Sequence, residues 1–221
     1  MRPITVAADA SGAYEAARRG DIVLIVDVVD MGTTLEAALQ AGAKLVLGAA
    51  PAGLKVPVPV NPRRIGKFAA EKAQEFETGV VVIAEPRVAR DEERQLSAAE
   101  VLCGLREEGL RISKVYPNMG AETVKLVDFR DQVVVAVSAN GGTAYDAAFN
   151  AGADVFTATV ARTYGYTGWE NAEFAVERVL KLASQKRGGI TVVAASSKAL
   201  EDVLAAHYLA RALQRHFFRG V

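Results

Sequence analysis

The sequence predicts an α/β protein: three layers, α/β/α, around a mixed, largely parallel sheet, with an internal duplication. Three observations lead there. The first is a repeat. Residues 21–43 read DIVLIVDVVDMGTTLEAALQAGA and residues 131–153 read DQVVVAVSANGGTAYDAAFNAGA, at one ungapped offset of 110. Asp21 falls on Asp131, Gly32 on Gly142, Thr33 on Thr143, Glu36 on Asp146, and Ala41, Gly42 and Ala43 on Ala151, Gly152 and Ala153. Each copy is a β-run, a Gly-Thr turn, an Ala-rich helix and a glycine stop. The offset is half of 221 residues, so the chain reads as one domain of two similar halves, about 1–110 and 111–221. The second observation is that runs such as Ile22–Val26 and Val80–Ile83 are apolar at every position, as in strands covered on both faces. The third is that such runs alternate with helical segments, the pattern of α/β folds.

Residues 3–8 form an edge strand in this reading, and Ser11 caps a short helix that Gly20 stops. The strand 22–29 breaks at Asp30-Met31-Gly32. Thr33 or Thr34 then caps the next helix, which closes at Gly42. Lys44–Leu47 is the next strand. The four prolines of residues 51–62 make an extended connector. Pro62 opens a helix at its first position. A strand at 80–84 exits into Glu85-Pro86-Arg87. The charged run ARDEERQ reads as a solvated loop, and Ser97 as the cap of a helix to about Glu108. A strand at 110–116 and a turn at Pro117–Gly120 lead to the second copy: strand 132–139, turn 140–142, helix 143–151. The remainder reads as strand 154–160, a Gly/Tyr/Trp loop, helix 171–185, strand 190–195 and a last helix at 199–217.

Composition narrows the function classes. Basic and acidic residues balance at 26 each, which argues against a nucleic-acid surface. The lone Cys103 excludes an internal disulfide and reads as a small helix residue. The absence of a signal-like start or a membrane-length apolar run predicts a cytoplasmic protein with no membrane partner. The Ala-rich helices suggest close packing between subunits, as in a homodimer. His207 and His216 fit no metal-ligand pattern. Trp169, Tyr164 and Tyr166 read as cover for a sheet edge rather than the rim of a pocket.

Ligands of open α/β sheets bind beyond the carboxyl ends of the strands. Collected there are Asp27, Asp30, Thr33 and Thr34; Glu85 and Arg87; Asn140, Gly141, Gly142 and Thr143; and Ser196, Ser197 and Lys198. The two repeat turns precede helices, whose free N–H groups attract an anion, and glycine permits close approach of a ligand. The alternative is an ordinary strand-to-helix turn. Asp27 sits in an apolar strand, where a carboxylate needs a partner, a metal or the strand end. Asp27, Asp30 and Glu85 together could hold Mg²⁺, which takes one or two carboxylates besides water and phosphate oxygens. Asp30 could equally hydrogen-bond the turn backbone.

At these residues the chain resembles the 2-phosphosulfolactate phosphatase (ComB-like) family. The family's D-V-L-R-A-x-T-T turn is similar to Asp27-Val28-Val29-Asp30-Met31-Gly32-Thr33-Thr34, and its N-G-T turn to Asn140-Gly141-Gly142-Thr143. Its G-N-S-P-x-E segment is matched at Asn118 and Glu122, its G-E-R stretch by Glu85-Pro86-Arg87, and its S-L-E-D element by Ala199-Leu200-Glu201-Asp202. Three departures fall in the site. The motif arginine is Asp30, the Ser-Pro is Met119-Gly120, and the family's Cys-Ala-Gly-Thr run is Ala194-Ala195-Ser196-Ser197. The resemblance implies a Mg²⁺-dependent phosphatase acting on a small anionic metabolite, with Asn118 among the binding residues. In that role Asp27, Asp30 and Glu85 hold metal and Arg87 or Lys198 neutralises charge. The exchange of arginine for Asp30 leaves a second expectation: a non-catalytic relative that binds a metabolite or a partner protein.

Overall fold

The computed structural model describes residues 2–218. Strands and helices alternate: β1 (Ile4–Ala8), α1 (Asp9–Arg18), β2 (Ile22–Val26), α2 (Met31–Gln40), β3 (Leu45–Ala49), α3 (Pro62–Glu75), β4 (Val80–Ala84), α4 (Asp91–Ser97), α5 (Ala99–Glu107) and β5 (Val115–Pro117). A 3-10 helix (Gly120–Lys125) leads to β6 (Val133–Val137), α6 (Gly141–Asn150), β7 (Val155–Ala158), α7 (Gly168–Ala183), β8 (Ile190–Ala194) and α8 (Leu200–Phe218).

The α/β class is as expected, but the strands form two sheets rather than one. Their orders are β1-β8-β2-β7 and β3-β6-β4-β5, and every pairing between these strands is parallel. The duplication is written into that order. Exchanging β1 with β5, β2 with β6, β3 with β7 and β4 with β8 turns one sheet into the other. Val23 pairs with Val155, and Val133 pairs with Leu45, so the repeat offset of 110 relates the two registers.

Each repeat unit crosses between the sheets. The chain leaves β2 in the first sheet, runs through α2 and enters β3 in the second; β6, α6 and β7 make the reverse crossing. Helices α2 and α6 therefore lie in a middle layer, with α1 packed on α6 and the 3-10 helix on α2. Helices α7 and α8 cover the outer face of the first sheet; α3 lies on that of the second, with α5 packed on α3 and α4 against β4 and β5. Both sheets are thus flanked by helices on each face, and they share the middle layer. Side chains alternate accordingly along β2: Ile22, Leu24 and Val26 face α7 and α8, while Val23 and Ile25 join the core of the middle layer.

The middle layer explains the repeat's composition. Met31–Ala38 and Gly141–Ala148 are buried at every position, so these stretches present no face to solvent. Their alanines pack within one chain. Glycine is required by close approach to a strand end. A Cβ on Gly32 would overlap the Asp27 carbonyl oxygen and lie 2.6 Å from that of Ala158; one on Gly142 would overlap the Ala49 carbonyl.

Several local expectations change. Thr33 and Thr34 do not cap α2; Asp30 occupies the cap position without a side-chain cap bond. Ser11 lies inside α1, whose cap position is Ala8. The run ARDEERQ is largely helix, not loop. Asp91, Glu92 and Glu93 complement the first turn of α4, and the buried Arg94 pairs with Asp91 and donates to the Ala89 carbonyl (2.7 Å). Ser97 ends α4 rather than capping α5. Residues 110–114 are not strand, and β5 is short. Asn61 and Pro62 open α3 as expected, with Asn61 accepting from the Arg64 N–H (3.1 Å). Among the described residues, no helix is long and apolar enough to cross a membrane.

Candidate active site at the carboxyl ends of the strands

Asp27 follows the last residue of β2 and is only 3% exposed. Its Oδ2 accepts the Gly141 N–H at the start of α6 (3.1 Å), and its Oδ1 is buried without a partner. A Cβ at position 141 would run into this carboxylate, so glycine there is a condition of the contact. Burial, then the neighbouring Asp202 and Glu85, push the Asp27 carboxyl up to about 7; the Gly141 N–H opposes the shift, and Asp30 adds slightly to it.

The acids around it come from three elements. Asp202, in the first turn of α8, accepts the Val28 N–H (2.9 Å), and burial raises its pKa. Glu85 follows β4. It accepts the Asn118 side-chain N–H (3.1 Å) and the Ala139 N–H (3.4 Å), and burial raises its pKa as well. Asp30 forms an ion pair with Arg87, whose Nε donates to the Asn118 carbonyl (3.2 Å). Asn118, itself buried, accepts the Thr34 hydroxyl (2.5 Å). Asp27, Asp30, Glu85, Arg87, Asn118 and Thr34 thus meet, although they come from three separate segments, 27–34, 85–87 and 118.

A second group lies beside them. Asn140, Thr143, Ser197 and Lys198 line a cleft of about 340 Å³ with Asp9 and Ser11. Asn140 is exposed and makes no cap bond to α6. Ser197 donates its N–H to Asp9 (2.8 Å), and Ser196 accepts the Lys198 N–H (3.2 Å). The turn between β6 and α6 joins the two groups, because Ala139 lines the cleft and donates to Glu85 while Gly141 donates to Asp27.

Some expected site residues serve the fold instead. Thr33 is buried, donates to the Val28 carbonyl (2.7 Å) and meets the Thr159 hydroxyl (2.7 Å). Thr143 donates to the Ser138 carbonyl (3.2 Å). The first N–H groups of α6 are taken by Asp27 and Ser138, and Gly142 meets a strand end, so neither glycine offers its N–H to a ligand. Glu122 is on the surface and pairs with Lys125. Asp202 and Asp9 were not among the expected site residues. Asp202 stands in the Leu-Glu-Asp run, but only the fold returns the first turn of α8 to the exit of β2.

Among the described residues, no three His, Cys, Asp or Glu side chains form a metal-holding group. A Mg²⁺ ion needs fewer, and the partnerless buried oxygen of Asp27 beside Asp30 and Glu85 fits such an ion. Neither a scan against protein-family models nor a search of curated proteins finds a match to this chain.

Proposed function

We propose that the chain is a Mg²⁺-dependent hydrolase of a small organophosphate. One observation carries this reading: a carboxylate oxygen buried without a partner, Asp27 Oδ1, at the carboxyl end of a central strand. A buried charge without compensation is costly, so such a group calls for a cation or a proton. The motif resemblance to 2-phosphosulfolactate phosphatases around Asp27, Asn118 and Asn140 supports the same class. Asp27 would hold Mg²⁺ with Asp30 or Glu85. A bound Mg²⁺ supplies Lewis-acid stabilisation of phosphoryl oxygens. The chain's own residues do the rest. Gly141 fixes Asp27 by one oxygen, Asn118 and Ala139 orient Glu85, and Lys198 stands at the adjoining cleft to neutralise an anionic metabolite. A cytoplasmic setting suits a chain with a single cysteine.

A screen of small phosphate monoesters with and without Mg²⁺ tests the reading. Turnover is expected with Mg²⁺, lost with EDTA and lost at least 100-fold in Asp27→Asn. Its absence with every divalent ion, in folded protein, overturns the reading. One observation favours a second reading, a non-catalytic metabolite binder: Arg87 is committed to Asp30 and the Asn118 carbonyl rather than turned to a ligand. Stabilisation by a metabolite without turnover would support it.

A further inference from the structure

The two outer helix pairs occupy corresponding places but pack differently. Helices α3 and α5 touch backbone to backbone: a Cβ on Gly66 would overlap the Val101 carbonyl oxygen, and one on Gly104 that of Arg63. Between α7 and α8, a mostly apolar cavity of about 460 Å³ is open instead, lined by Val160, Trp169, Glu201, Leu204, Ala205 and Tyr208. That volume is in the range of small-molecule sites. Trp169 and Leu204 are more than half exposed, so folding leaves aromatic and aliphatic surface in water there.

Glu201 is the one charged residue of the lining, and it makes no ion pair among the described residues. The next carboxylate, Asp202, turns to Val28. The cations Arg215 and His216 line a depression on the other side of Trp169, about four helical turns from Glu201 along α8, where His216 faces Glu173 at 3.5 Å. A free carboxylate beside indole and phenol rings attracts an organic cation twice, through its charge and through the ring quadrupoles. An anion of the same shape is repelled, and a neutral analogue retains only the apolar contact. We infer that the cavity between α7 and α8 binds a small organic cation with an apolar body, such as an aryl- or alkylammonium. This site is separate from the acid cluster and does not rest on the hydrolase reading.

Trp169 is the only tryptophan of the chain and lines both this cavity and the adjoining depression, so its fluorescence is read together with a Glu201 variant that touches the cavity alone. The full chain is titrated with benzyltrimethylammonium, benzyl alcohol and phenylacetate. A saturable change is expected with the cation, roughly tenfold weaker binding of the alcohol, and no response to the acid. Glu201→Gln, on an exposed position, should weaken the cation roughly tenfold and leave thermal unfolding unchanged. Equal responses to the three probes, an unaffected Glu201→Gln, or no saturable change overturns the inference. A fluorescence change that follows protein concentration, with a dimer in sedimentation, assigns the cavity to a second copy and overturns it too.

Discussion

The two repeat turns share a backbone plan and differ in chemistry. At the offset of 110, Asp30 corresponds to Asn140, Thr34 to Ala144, Glu85 to Ala195 and Arg87 to Ser197. Around the first turn these side chains bond to one another through Asn118. Around the second, alanine replaces Thr34 and Glu85, and a cleft stays open beside Asn140 and Lys198. One scaffold is used twice; a few polar exchanges leave an acid network at one turn and an open cleft at the other.

The buried acids of the middle helices break this comparison hardest. Glu36 is fully buried and relies on Arg178 (2.6 Å) and Thr157 (2.7 Å). Burial raises its pKa, and the guanidinium opposes that rise. Arg178→Met leaves the carboxylate without its cation, and a loss of about 3–5 kcal/mol is expected in urea unfolding. Adding Glu36→Gln should restore much of it. The counterpart Asp146 depends on the Ala50 and Asn61 N–H groups (3.1 and 2.6 Å) and on Asn150, so no single side-chain truncation should cost as much.

Asp27 gives the next effect, with the opposite sign. Its carboxyl titrates at about 7 in the folded chain but near 3.8 when unfolded. Between those values the folded chain holds the extra proton, so stability falls as pH rises and the full penalty applies above pH 7. Asp27→Asn removes it. The variant should be more stable at pH 8 by on the order of 3 kcal/mol without metal, with no gain at pH 4. Thermal unfolding at the two pH values checks this. Added Mg²⁺ should raise the unfolding temperature of the parent at pH 8 and leave Asp27→Asn unmoved.

The helix pairs sharpen the contrast more gently. Gly104→Ala presses a methyl into the Arg63 carbonyl and should cost about 1–3 kcal/mol in urea unfolding. Smallest is Arg87→Ala. This half-exposed ion pair should contribute less than about 1 kcal/mol, less still in high salt, as measured by the same unfolding.

The central strands and the duplication were legible in the sequence because each rests on a run of neighbours. Apolar stretches named β2, β4, β6 and β8, and matched Gly-Thr turns named the repeat. Two sheets were not legible, since an apolar strand reads the same whichever sheet receives it. Asp27 stood out as an acid in an apolar run, but Asp202 did not, because its meeting with the exit of β2 spans the whole chain. Gly32 and Gly142 were visible as glycines; that they face strand carbonyls rather than a ligand depends on the crossing of α2 and α6. Residues 91–97 misled because charge usually marks a loop, whereas here Arg94 is buried against the backbone it caps.

The place of β8 sets the order in which the molecule can be built. It lies between β1 and β2, and those two strands do not pair with each other. In synthesis β1 and β2 must therefore wait for β8, which starts some 170 residues after β2 by sequence position. Closing so long a loop is slow, so an unfinished chain presents apolar strand edges until β8 arrives. Truncation before Ile190 removes a central strand, not a tail, and should leave an aggregating fragment rather than a smaller domain.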